Sequence, residues 1–249
     1  MSTTMPSRRN VVRTATWTVP VVAASTAVPA YAASPCATSH GWRLDWGASG
    51  TTYSRGQVVN GVQTGTAVVT GPAGTSPLTV TFRSVMSGSM RRDADNLELS
   101  SNLTETPPVG NVGGLGLGPG LNVSHAAPIP SGQRNAQEIS ISFDRQVSGL
   151  AFTITDVDAQ FGDWVDQVEL SGSRTGTGPA LQGNGTPDSP WMATTYGNAG
   201  NSSGSRNIAV TYTAAIPAGS PVLLKFWNRS GNGNQRIFLS DFTFDALGC

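Results

Sequence analysis

Lysine is all but missing from this sequence: Lys225 stands alone against fourteen arginines. Charged residues of both signs make up only 12% of the 249-residue chain. Chains held disordered by charge carry many such residues and few apolar ones, so that class is excluded. The same scarcity, with no periodic stretch rich in Ala, Glu, Lys and Leu, excludes a coiled coil or helical bundle. Neither sign is in excess, since fifteen basic residues cancel fifteen acidic ones. That balance leaves no global attraction to nucleic acid or acidic lipid. No apolar run approaches the ~20 residues that cross a bilayer. There are two cysteines and two histidines, and no cluster has the spacing of a zinc site. Glycine and proline are abundant instead, at 30 and 16.

The N-terminus reads as an address. Ser7, Arg8, Arg9, Asn10, Val11, Val12 and Arg13 resemble the bacterial twin-arginine export signal: a hydroxyl residue, paired arginines, a spacer, two apolar residues and a base. A mildly apolar stretch follows. It ends in Ala30-Tyr31-Ala32, a small-x-small cleavage site. A membrane anchor is the other reading, but the segment is short and polar for a span. The expected division is a signal peptide over 1–32 and one domain over 33–249. Processing leaves twelve basic against fifteen acidic residues, a net charge of −3. Export places Cys36 and Cys249 in an oxidising compartment, where disulfides persist. A Cys36–Cys249 bond is expected, provided the first and last strands lie side by side. Lipidation of Cys36 is the alternative, and Ser34-Pro35 spoils the small-residue box it needs.

Turn formers punctuate the remaining chain about every ten residues, with short runs of Val, Ile, Thr and Phe between them, the pattern of a sandwich or barrel. The clearest predicted strands are 77–86, 137–144, 149–155, 164–171, 207–214, 221–228 and 236–246. Weaker ones are 41–46, 57–61, 66–70, 96–99 and 120–124. Ile139, Ile141 and Phe143 alternate with Ser140 and Ser142; Leu150, Phe152 and Ile154 share a face; Phe238, Phe242 and Phe244 are expected to share another. Period two is what a half-buried strand requires. Segments 104–120, 171–189 and 197–205 read as loops from their Gly, Ser, Asn and Thr content. The expected fold is all-β: a single antiparallel β-sandwich, jelly-roll-like.

The segment 139–170 is the most informative. Asp156 and Asp158 continue the inward parity of Leu150, Phe152 and Ile154, and Asp166 shares parity with Trp164, Val168 and Leu170. Three carboxylates then converge at the rim of the core, where repulsion and lost hydration demand a proton or a compensating donor. Calcium is one solution, taking six to eight oxygens, with Asp163 as a further ligand. Turn N–H groups or a nearby base such as Arg145 are the other. An EF-hand is excluded, because Gly162 comes one place late and Gln167 stands where the bidentate Glu belongs. Trp164 beside these carboxylates is the candidate for stacking on a sugar ring, with core packing as its ordinary alternative.

The run Phe143 to Asp158, followed by Asp163-Trp164-Val165-Asp166-Gln167-Val168, resembles a segment of bacterial secreted and surface β-sandwich proteins of largely unknown function. The ending Ile237 to Phe244 is similar to the last strand of jelly-roll, lectin-like and carbohydrate-binding modules. The resemblance implies a jelly-roll-like sandwich, extracellular and in some members calcium-stabilised.

Catalytic signatures are weak. His40 and His125 read as surface or turn residues. Gly200-Asn-Ser-Ser-Gly204 matches the nucleophile-elbow pattern without the strand–helix context it needs. A glycosidase requires two carboxylates; the Asp cluster, Glu98 and Glu138 are candidates. The leading expectation is therefore a secreted, non-catalytic module, structural in the envelope or binding extracellular polysaccharide or a cell-surface component. It contacts no nucleic acid, and its mature chain has no transmembrane span. A polysaccharide-active enzyme on a jelly roll is the second reading.

Overall fold

The computed structural model describes residues 35–103, 110–204 and 206–249. Arg8, Arg9, Ala30 and Ala32 lie outside the described residues. The strands are β1 Ser39–Leu44, β2 Thr51–Val59, β3 Val62–Val69, β4 Leu78–Met86, β5 Leu121–His125, β6 Ala136–Phe143, β7 Val147–Thr155 and β8 Ala159–Gln160. They continue as β9 Trp164–Leu170, β10 Arg174–Thr177, β11 Leu181–Gln182, β12 Met192–Ala193, β13 Ile208–Tyr212, β14 Val222–Asn228, β15 Gln235–Leu239 and β16 Phe242–Leu247. Among the described residues the only helical pieces are three-residue 3-10 turns. None is long and apolar enough to cross a membrane.

The fold is all-β, with two large antiparallel sheets packed as a sandwich. One sheet runs β1-β16-β7-β13-β10, with β15 joined to both β5 and β7. The other runs β2-β3-β4-β6-β14-β9-β8. Alternation decides which side chains meet between them. Ile139, Ile141 and Phe143 are buried, and Ser140 and Ser142 are half-exposed. The aromatic centre is Trp46, Phe82, Phe152 and Phe242, with Phe152 stacked on Phe242 at 4.5 Å. A two-residue Asn60-Gly61 turn joins β2 to β3; both residues have positive φ (49° and 79°), the geometry whose twist suits a hairpin.

Pairing of β1 with β16 brings the chain ends of this unit together, Ser39 opposite Leu247. The expected disulfide Cys36–Cys249 is present, with Cα atoms 4.6 Å apart.

Four local expectations are corrected. The segment 236–246 is two strands, because at Ser240 the side chain enters the ladder: Thr153 N–H donates to Ser240 Oγ and Ser240 N–H to Thr153 O, both at 2.9 Å. The interruption shifts parity by one residue. Ile237, Leu239, Phe242 and Phe244 therefore face the main core, while Phe238 turns to the other face and packs with Leu103 and Val112. Segment 96–99 forms only a single bridge, Leu99 to Leu121, because Leu97 adopts a positive φ of 57°. Segment 171–189 contains β10 and β11. The glycine that disguised β10 leaves room for a ring: a Cβ on Gly176 would sit 2.2 Å from Trp191, which is 2% exposed. Finally, β7 ends at Thr155, since Asp156 has φ +66°. Val157 is fully buried and Asp156 only partly, so Asp156 does not continue the inward parity.

Candidate functional site

One end of the sandwich is filled with polar rather than apolar side chains. Strands β5, β9, β14 and β15 deliver His125, Asp166, Asn228 and Gln235, all at most 2% exposed. Gln235 is their hub. Its Nε2 donates to Asp166 Oδ1 at 2.8 Å, and its Oε1 lies 3.3 Å from His125 Nδ1. With the Gln235 amide committed as a donor to Asp166, its oxygen accepts, so Nδ1 is the protonated ring nitrogen. The His125 ring stacks on Phe226 at 4.5 Å. Burial pushes the imidazole down to about 4, against the opposing pull of its hydrogen bond with Gln235. It is neutral at neutral pH. His125 is thus a core residue and not the expected surface or turn residue. The polar fill continues sideways: Gln137 Nε2 donates to Ser84 Oγ at 2.9 Å and to Asn96 Oδ1 at 2.8 Å, and Asn96 Nδ2 to Gln63 Oε1 at 2.9 Å.

The hairpin of β8 and β9 stands beside this seam and positions the carboxylates. Of the three carboxylates expected to converge by parity, Asp158 and Asp166 come together and Asp156 does not join them. Asp158 N–H donates to Asp166 Oδ2 at 3.0 Å, and Asp166 N–H donates to the Asp158 carbonyl at 3.0 Å. The Asp158 carboxylate accepts from Trp164 Nε1 at 2.7 Å and from Ala199 N–H at 2.6 Å. Burial raises Asp166 well above the usual carboxylate range, and the charge of Asp158 adds to the rise. Burial also raises Asp158, opposed by its bonds to Ala199 and Trp164 and by the charge of Arg206. The compensating donors foreseen for clustered carboxylates are the chain's own N–H groups.

The four proposed metal ligands are therefore divided. Asp158 and Asp166 have all four oxygens met by protein donors. Asp156 lines the open cleft described below. Asp163 sits in the β8–β9 turn, its carbonyl accepting from Gly233 N–H at 2.8 Å and its side chain lying over Gly233. Among the described residues no three His, Cys, Asp or Glu side chains are grouped to hold a metal ion. Arg145 plays no part here; it pairs with Asp144 at 3.2 Å and lies over Trp42.

Above the buried seam opens a cleft of about 170 Å³. It is lined by Asp93, Asp156, Asp158 and Trp164, by Asn198, Asn201 and Asn234, and by Ser124, His125, Gln235 and Arg236. Trp164 is only half-buried, unlike Trp42, Trp46 and Trp191 in the core. The asparagines were not legible beforehand. They lie in loops 198–201 and 231–234, far apart in sequence; composition marks 197–205 only as a loop, and nothing in the sequence singles out 231–234. The loop carrying Asn198 and Asn201 is pinned from below, through Ala199 on Asp158 and through Gly113 N–H, which donates to the Asn201 carbonyl at 2.7 Å. Comparison with protein-family models, with curated proteins and with solved structures found no match.

Proposed function

We propose that this chain is an exported, non-catalytic module that binds saccharide, from an extracellular polysaccharide or a cell-surface component, in the cleft beside the β8–β9 hairpin. The observation that carries this reading is the lining: three asparagine amides, the carboxylates of Asp93 and Asp156, an arginine and one half-exposed indole around a single opening. Such planar donors and acceptors match sugar hydroxyls, and an aromatic face matches the apolar face of a ring. The committed oxygens of Asp158 and Asp166 argue against acid–base work. A glycosidase acid or base must reach the scissile bond or its water, and Asp166 is fully buried. The Cys36–Cys249 bond supports an oxidising compartment, consistent with export over the twin-arginine route.

A glycan array and a polysaccharide-degradation screen on residues 33–249 test the proposal. Saccharide binding without release of reducing ends is expected, weakened at least about tenfold by Trp164→Ala. Absence of binding across the panel overturns it.

The enzyme reading has one specific observation in its favour. Glu138 and Glu169 lie opposite Lys225 on either side and line a groove on the outer face of their sheet. Two strand spacings separate them, roughly 10 Å. Release of reducing ends that is lost in Glu138→Gln would establish that reading.

A further inference from the structure

Trp164 and Val165 are consecutive in β9, so their side chains take opposite faces of the β8–β9 hairpin. Trp164 lines the cleft already described. Val165 lies in the floor of a second groove, of about 460 Å³, with Ala159 and Ala193. We propose that this second groove is an acidic-sugar subsite, which takes a uronate with its carboxylate on Arg229 and its ring face on Tyr196. The inference rests on the saccharide reading above and names the class of sugar.

Three observations converge on it. First, Arg229 is the one ionisable side chain, apart from the phenol of Tyr196, among the residues that line the groove. It is exposed, and the one hydrogen bond its guanidinium makes among the described residues is to Met192 Sδ, at 3.5 Å. The other polar lining is uncharged: Gln182, Thr194, Thr195 and Ser230. A guanidinium without a carboxylate partner, in a groove otherwise free of charge, fits a planar anion held by two parallel N–H bonds. Second, Tyr196 is 57% exposed and Phe161 76%. The two rings meet edge to face at 5.3 Å and 86°. Adjacent large aromatics held in water mark an interaction surface. Third, hydrogen bonds tie this platform to β8 and to a buried side chain. Gly197 N–H donates to the Ala159 carbonyl at 2.6 Å, and buried Arg206 donates to the Gly197 carbonyl at 2.6 Å and to Thr195 Oγ1 at 3.4 Å. A preformed platform avoids the ordering cost of a mobile loop. A uronate is the ligand class that combines a carboxylate, a ring with an apolar face and hydroxyls for the threonines and glutamine.

The test is isothermal titration of residues 33–249 with three probes: a hexuronate oligosaccharide, its methyl ester and an acidic Glu/Asp peptide. The ester keeps the ring and the hydroxyls and loses the charge. The free acid is expected to bind at least about tenfold tighter than the ester, the size of effect a charge-assisted pair supplies, and the preference should shrink at high salt. Arg229→Gln, at an exposed position, should abolish the preference while leaving binding of the ester intact. Tyr196→Ala should weaken both. Equal binding of acid and ester, or a preference unchanged in Arg229→Gln, overturns the acidic subsite and leaves the general saccharide reading standing. Binding of the acidic peptide as tight as the uronate assigns the groove to a protein partner and overturns it too. Failure of both the acid and the ester overturns the acidic subsite, and the glycan array decides the general saccharide reading separately.

Discussion

Asp166 and His125 both bond to Gln235, and burial shifts their titrations in opposite directions, the carboxyl up and the imidazole down. For Asp166 the folded state holds its proton more tightly than the unfolded chain, whose carboxyl titrates near 3.8. The stability from the protonated group is complete below that value and declines as pH rises through the folded one. Asp166→Asn removes the ionisation and keeps the shape. In urea titrations from pH 4 to 8 the variant should gain on the parent as pH rises; a constant difference would refute the raised carboxyl. His125 works the other way. Its folded value, about 4, lies below the unfolded 6.5, so acidification favours the unfolded chain and stability falls as pH drops from 6.5 towards 4. The loss is roughly 3 kcal/mol. His125→Gln should flatten that acid limb, and an unchanged limb would place the proton uptake elsewhere.

The hairpin of β8 and β9 and the loop 194–201 act as one element, because buried groups lock them together. Arg206 is 9% exposed and Asp158 3%; one donates to the Gly197 carbonyl and the other accepts from Ala199 N–H. Arg206→Met should free the loop. Amide exchange at residues 195–199 should accelerate at least about tenfold, with a stability loss of about 1–3 kcal/mol. Exchange confined to the termini of the chain would show that the loop is held by other means. Strand β16 presents the converse case, an element held by packing. Phe242 meets Trp46, Phe82 and Phe152, so Phe242→Ala should cost about 3–5 kcal/mol in denaturant titration. The strands with clean alternation, such as β6 and β7, were legible in the sequence. Those disguised by glycine, such as β10, were not: Gly176 is there to admit the Trp191 ring, a partner outside the strand.

At the scale of the whole molecule, one covalent bond joins residues 213 positions apart. Closing so long a loop removes much of the freedom of the unfolded chain, worth roughly 5 kcal/mol in the chain-entropy model. The paired variant Cys36→Ser, Cys249→Ser should therefore melt at a lower temperature while keeping the sandwich. Loss of β-structure by circular dichroism at 25 °C would show that the bond is required for folding itself. The cleft lined by Trp164 and the groove lined by Val165 lie beside the β8–β9 hairpin, next to the polar side chains of Asp166, Asn228 and Gln235. The apolar part of the core sets the fold, and the polar end is left to hold loops.

By itself the sequence determined the class of the fold, the pairing of the two cysteines and the meeting of Asp158 with Asp166. The fold class and the carboxylate pair depend on short stretches of chain, where period two is a property that neighbours possess; the cysteines pair because the chain has two of them. Tertiary structure alone decided the rest. The ladder bond at Ser240 reversed the face of Phe238. The left-handed turn at Asp156 took that carboxylate out of the core. Loops distant in sequence brought Asn198, Asn201 and Asn234 around Trp164. These depend on which strand lies alongside which, and contacts between remote segments leave no periodic trace in the chain.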